Sequence, residues 1–283
     1  MIKFFIMPNF LANLGKGVFI RIKRIFYQPY NVFDIGWVKE KILKHQTDKS
    51  LKYHVYRDKY KIAFRDGPVF LISINELFIN EFYKFRPTTD RPKIIDCGSY
   101  IGTSILYFKV NYPNATVTGF EPDKTNYDII SSNLESWNFS NTRVTNAAIW
   151  INNESISFNS KGSMASRIET DVVEDDNKKI VNCVRLKDLL NEEIDFLKID
   201  IEGAEHAVLK DCSDNLKNVK NLFVEYHGIY SEMFKLNEIL DILVRNNFRY
   251  YIKEGSPVYA KPFWDKDKIG DYDIILNIFA FRE

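Results

Sequence analysis

Within FLKIDIEGAEHAVLKD (196–211), Asp200, Glu202, Glu205 and His206 crowd a short stretch beside Lys198, and His227 closes LFVEYH (222–227). Carboxylates and imidazoles at that density can hold a hydroxyl and take its proton, or ligate a hard divalent cation. Along a strand, Lys198 and Asp200 share one face by period two, and Gly203 allows the chain to bend after them. Glu205 then falls in the first turn of a helix, where complementing the helix dipole is its simplest role. Glu225 lies on the face of His227. The candidate catalytic groups are therefore Asp200 and His227, with Glu202 supporting. Asp200, Glu202 and His206 could together hold a metal, but their spacing matches no dedicated metal motif and no metal is assigned. His45 and His54 stand far from this cluster in the chain and read as structural or solvated.

A second constellation lies in IIDCGSYIGTS (94–104), where Asp96 ends an apolar run and Gly98 and Gly102 bracket a turn. Glycine permits positive φ and close approach of another molecule to the backbone, and the helix start beyond presents unpaired N–H groups. A phosphate loop would need Gly-Lys-Ser/Thr, which is absent, and a dinucleotide turn would need G-x-G-x-x-G, of which only the outer spacing is present. GFEPD (119–123) places Glu121 at the next strand end, where a carboxylate can accept two hydrogen bonds from a ribose diol. An acid beside the glycine turn would repel a diphosphate.

Positioning these groups requires alternating strands and helices. KIIDC leads to a helix from Thr103 to about Val110. ATVTGFE leads to a helix from Lys124 to about Trp137, and TRVTNAAI forms a third strand. Later come strand IDFLKID, helix AEHAVLKD, strand NLFVEYH, helix SEMFKLNEILDILVRNN, and strands near 248–253 and 273–281. Such alternation implies an α/β fold with a mainly parallel sheet covered on both faces, and ligands bind beyond the carboxyl ends of its strands. Upstream, YHVYRDKYKIAF and GPVFLI read as two or three short strands and INELFINEFYKF as a helix, while the prolines of RPTTDRP (86–92) mark a boundary. The expected organisation is an arm over 1–33, an α/β extension over 34–92, and a core domain over 93–283.

The arm is basic and apolar. Lys3, Lys16, Arg21, Lys23 and Arg24 precede the first acid, Asp34, while Phe10, Leu11, Leu14, Val18, Ile22, Ile25 and Phe26 recur at helical spacing. It suits packing on its own domain or a second subunit, or contact with a membrane surface, and is too interrupted by charge to span one. Over the whole chain 39 Lys+Arg meet 38 Asp+Glu, so no global field favours nucleic acid. Three cysteines without a CxxC pair suit a reducing compartment. A cytoplasmic location follows, with the inner face of the membrane as the variant that the arm suggests.

IIDCGSYIG, GFEPD, NAAI, FLKIDIEGAEHAVLKD and LFVEYHG occur together and in the order found in the FkbM family of methyltransferases, which the chain resembles over roughly residues 74–281. The resemblance implies a Rossmann-like class I fold, a seven-stranded, mainly parallel sheet with helices on both faces. It also implies S-adenosylmethionine as methyl donor, and methyl transfer to a hydroxyl of a sugar, glycan or polyketide-like product. On this reading Asp96, Gly98, Ser99, Tyr100, Gly102, Glu121 and Asp200 border the donor, while Asn146 and Ala147, with Ala148, border its adenine. Where members usually carry Ala-Asn between the glycines, this chain has Ser99 and Tyr100, which reshapes the methionine end of the pocket.

Two other functions stay open on the sequence: a nicotinamide-dinucleotide-dependent sugar-modifying enzyme, and a non-catalytic module of the same fold that binds glycan. The expected partner is a sugar, glycan or glycolipid acceptor, and no nucleic acid. The aperiodic stretch from Phe158 to Lys179 reads as a functional loop, with Ser163, Ser166 and Arg167 able to meet acceptor hydroxyls and the acids from Glu169 to Asp176 solvated.

Overall fold

Every residue of Ile194–Ile199 is buried, as a strand covered on both faces must be. This strand lies near the middle of the fold. The protein is described by a computed structural model covering residues 28–159, 178–259, 261, 263–264 and 271–282. Most of the basic arm and the loop residues Ser163, Ser166, Arg167 and Glu169–Asp176 lie outside the described residues. Two compact units meet between Phe82 and Tyr83.

The first unit contains helix α1 (Trp37–Lys44), strands β1 (Lys52–Tyr56) and β2 (Tyr60–Phe64) paired antiparallel, and helix α2 (Gly67–Ile74), followed by one π-helical turn, Asn75–Ile79. Phe33 stacks on Tyr56 at 4.1 Å and Phe64 on Phe70 at 4.2 Å. His54 is buried, with Nε2 bonded to the Phe33 carbonyl at 2.7 Å, a structural role. GPVFLI, expected as a strand, is α2 instead. Asp66 caps the Val69 N–H at 3.1 Å and a proline occupies the first turn, so the local start signal overrides the β-branched composition.

The second unit runs β3 (Lys93–Cys97), α3 (Thr103–Asn111), β4 (Thr116–Phe120), α4 (Lys124–Trp137), β5 (Thr142–Thr145), β6 (Ala148–Trp150), β7 (Ile156–Asn159), β8 (Lys178–Val181) and β9 (Cys183–Arg185). It continues with α5 (Leu186–Leu189), β10 (Ile194–Ile199), α6 (Glu205–Asp211), β11 (Val219–Gly228), α7 (Phe234–Arg245), β12 (Arg249–Glu254) and β13 (Ile274–Phe281). Its seven-stranded sheet has the order β12-β13-β11-β10-β3-β4-β5. Of these strands, β13 runs antiparallel to both its neighbours, while β11, β10, β3, β4 and β5 run parallel. This is the class I arrangement that the sequence implied.

Both faces are covered. Leu197, Ile199, Leu222 and Val224 join Val208 and Leu209 of α6 and Ile239 and Leu243 of α7 in one core. On the other face Phe196 meets Tyr83, Phe85 and Phe108 within 5.7 Å. These aromatics explain why the join lies at 82/83 rather than at the prolines of 86–92.

TRVTNAAI, expected as one strand, divides after Thr145. The Asn146 amide bonds to the carbonyls of Glu121 and Pro122, and β6 turns away to pair with β9. Strand order reverses between β3 and β10, which opens a crevice at their carboxyl ends. Among the described residues no helix is long and apolar enough to cross a membrane.

Candidate active site

At that crevice, Lys198 pairs in register with Asp96, so the turns after β3 and β10 emerge side by side. Gly98 has φ +88°, and a Cβ there would stand 1.9 Å from the Asp200 carbonyl oxygen. Only glycine lets the two turns touch. Lys198, itself buried, ties them with Nζ 2.6 Å from the Gly98 carbonyl, 3.2 Å from Asp200 Oδ2 and 3.4 Å from Asp96 Oδ1. Burial opposes its charge, but Asp200 and Asp96 outweigh that and hold its pKa well above the usual lysine value.

The glycine turn spends its amides internally. Gly98 and Ser99 N–H donate to the Phe120 carbonyl, Gly102 N–H to the Ser99 carbonyl, and Tyr100 N–H to the Glu121 carboxylate at 2.8 Å. A diphosphate needs such N–H groups turned toward it. Here one is already capped by an acid. Tyr100 also holds φ +49°, a left-handed conformation costly for a non-glycine residue.

Asp96, Ser99 and Ala147 are each at most 1% exposed. Asp96 accepts from Ser104 Oγ at 2.6 Å, while Ser99 Oγ donates to the Asp96 carbonyl. These residues back the turn, and Asn146 braces the Glu121–Pro122 backbone. Glu121, 6% exposed, accepts from the Tyr100 and Asp123 amides. Burial nevertheless pushes its pKa up to about 7. Asp96 Oδ1 is buried and accepts no hydrogen bond. A buried carboxylate at the end of β4 and a turn bracketed by glycines fit S-adenosylmethionine: Glu121 would hold the ribose diol, and Gly98, Tyr100 and Gly102 would flank its amino-acid end.

Beyond β10, Glu202 and Gly203 both take positive φ, so the chain doubles back before α6. Glu205, which sequence assigned to the helix dipole, does more. Fully buried, it accepts from the Ile201 and Gly203 amides and faces His227 Nδ1 at 3.1 Å. His227 Nε2 lies 3.7 Å from an oxygen of Glu202 and 3.7 Å from one of Glu225. Burial disfavours charge on this ring, but the hydrogen bond to Glu205 and the charges of Glu205, Glu202 and Asp200 raise its pKa to about 10. Partial burial raises Glu202 as well, against the pull of His227. Tyr272 covers the group, with its ring 4.8 Å from the His227 ring and its hydroxyl donating to the Glu202 carbonyl at 2.8 Å.

Asp200, Glu202 and His227 thus converge, each offering a ligand atom within 4.8 Å of the others. His206 does not join them. One helical step past Glu205 it faces away and bonds Glu238 Oε2 at 2.8 Å, so the metal set considered with His206 is corrected to one with His227. Glu205 and Tyr272 have no legible signal as partners, because they meet His227 and Glu202 from 22 and 70 residues away. A groove of about 830 Å³ lined by Lys210, Lys217, Glu238 and Arg245 lies along α6 and α7 and includes none of Asp200, Glu202 and His227.

The chain is 28% identical over 163 residues to Methyltransferase 1 of Beauveria bassiana (strain ARSEF 2860), covering 49% of this chain and 66% of that protein. It is 27% identical over 186 residues to Methyltransferase sdnD of Sordaria araneosa, covering 53% and 72%. The crystal structure of Methyltransferase FkbM from Methylobacillus flagellatus KT aligns with TM-score 0.45 and 19% identity, over 69% of this chain and 45% of that one. The chain therefore spans just under two thirds of the first relative and under half of the last. Residues 96–250 match the methyltransferase FkbM domain, running from the acid before the glycine turn to β12 and taking in both turns and His227. On that match, which covers more than half of its length, the chain belongs to the FkbM methyltransferase family.

Proposed function

We propose that this protein is an S-adenosylmethionine-dependent O-methyltransferase whose acceptor is a hydroxyl of a sugar or glycan, free or carried on a lipid. The observation that carries the reading is the convergence of Asp200, Glu202 and His227 beside the glycine turn at the switch point of the sheet. When bound, S-adenosylmethionine would supply an electrophilic methyl group on a sulfonium, with a neutral thioether as the leaving group. Glu121 and the glycine turn would hold it in place. Asp200, part-exposed at the end of β10, takes the proton of the acceptor hydroxyl as the new bond forms. Glu202 and His227 orient that hydroxyl, and Lys198 keeps Asp200 in position.

Tyr272 beside His227, and Tyr230 stacked on Tyr259 at 5.8 Å beyond β11, offer rings on which a sugar can rest. The spent amides of the glycine turn weigh against a dinucleotide. Three buried thiols outside any disulfide support a reducing, cytoplasmic setting. A thermal-shift series tests the donor: S-adenosylhomocysteine raises the melting temperature and NAD does not. Mass spectrometry of a glycan pool treated with enzyme and labelled donor tests the acceptor. Donor binding with no labelled product on any glycan would favour the non-catalytic module instead.

A further inference from the structure

We propose that Asp200, Glu202 and His227 form a binding site for one first-row divalent cation of the manganese or zinc type. One ligand atom from each lies within 4.8 Å of the others. Neighbouring ligands of an octahedral ion about 2.2 Å away stand roughly 3.1 Å apart and opposite ones roughly 4.4 Å, so an inward movement of the carboxylates closes the set. Glu202, with 52% of its side chain exposed, can supply it by turning from Tyr272.

The imidazole is prepared for the task. His227 is 8% exposed, with its side chain 4% exposed. Nδ1 engages the buried carboxylate of Glu205, and Nε2 points between Glu202 and Glu225, 3.7 Å from each and outside hydrogen-bond range. A carboxylate behind one ring nitrogen, leaving the other to face outward, is how proteins orient ligating histidines. The charge balance points the same way. Asp200, Glu202, Glu205 and Glu225 surround the imidazole, and the nearby Lys198 is already shared between Asp96 and Asp200. A cation held at Nε2 would lie among these carboxylates and offset their charge. One imidazole with two carboxylates is a mixed N/O set, which suits manganese or zinc better than calcium.

The site opens toward the crevice, so an acceptor hydroxyl can complete the coordination and become more acidic there. That task rests on the methyl-transfer reading, whereas binding of the cation does not. The test is titration of the EDTA-treated full-length protein with Mn²⁺, following the electron paramagnetic resonance signal of free Mn²⁺, without donor or acceptor. The expected result is uptake of about one Mn²⁺ per chain, weakened roughly tenfold or more in Glu202→Gln and in Glu205→Gln. Glu202→Gln alters a half-exposed side chain and keeps the fold, checked by circular dichroism. No uptake at millimolar Mn²⁺, or equal uptake by wild type and Glu202→Gln, overturns the proposal. S-adenosylhomocysteine binding, measured separately by calorimetry, reports on the methyl-donor reading, so either can fail alone.

Discussion

A carboxyl group sealed from water ionises reluctantly until a ligand brings donors to it. Glu121 is in that state, with its pKa pushed up to about 7 by burial. The diol of the donor needs the ionised form as acceptor. Affinity for S-adenosylhomocysteine should therefore be flat above pH 8 and fall by up to about tenfold per unit below pH 7, with proton release on binding. Calorimetry in buffers of different ionisation enthalpy measures both, and pH-independent affinity would remove Glu121 from the ribose. Asp200 makes a different prediction. Asp200→Asn keeps donor affinity but loses the proton acceptor, so turnover should fall by about 10²-fold or more in a labelled-methyl assay.

At the scale of elements, the site depends on two turns meeting without side chains between them. Gly98→Ala places a methyl group against the Asp200 carbonyl and forces alanine to φ +88°. It should destabilise the protein by at least about 2 kcal/mol in urea denaturation and abolish donor binding, and an unperturbed variant would mean that the turns stand apart. Helix α4 starts on a side-chain cap from Asp123 to the Asn126 amide at 3.0 Å, while the Asp123 amide itself serves Glu121. Asp123→Ala should cost about 1 kcal/mol, read in the same denaturation experiment, because it removes the cap but spares the amide. These elements were legible where local signals agreed: Asp123 opens α4, and IDFLKI reads as a strand ahead of the Gly203 bend. They were not legible where a cap or a distant amide decided. Asp66 made a helix of GPVFLI, and Asn146 split a strand by bonding to the turn after β4.

Across the whole molecule, the aromatic layer of Tyr83, Phe85, Phe108 and Phe196 holds one face of the sheet against its cover. Phe196→Ala should destabilise the second unit by about 3–5 kcal/mol, seen as a lowered denaturation midpoint. An effect below about 1 kcal/mol would show that the layer packs loosely. The α/β fold class and the glycine turn with Glu121 at the next strand end were contained in the order of residues, because strand period, helix period and turn chemistry act over a few neighbours, and the family was legible in the resemblance of its motifs. Which residues surround His227 was not. Glu205 lies at its Nδ1, and Tyr272 over its ring, because β11 pairs with β10 on one side and β13 on the other, and the polypeptide folds back at Gly203. Linear sequence gives no measure of that closeness, so tertiary structure alone set Glu205 and Tyr272 around His227 and turned His206 away to Glu238.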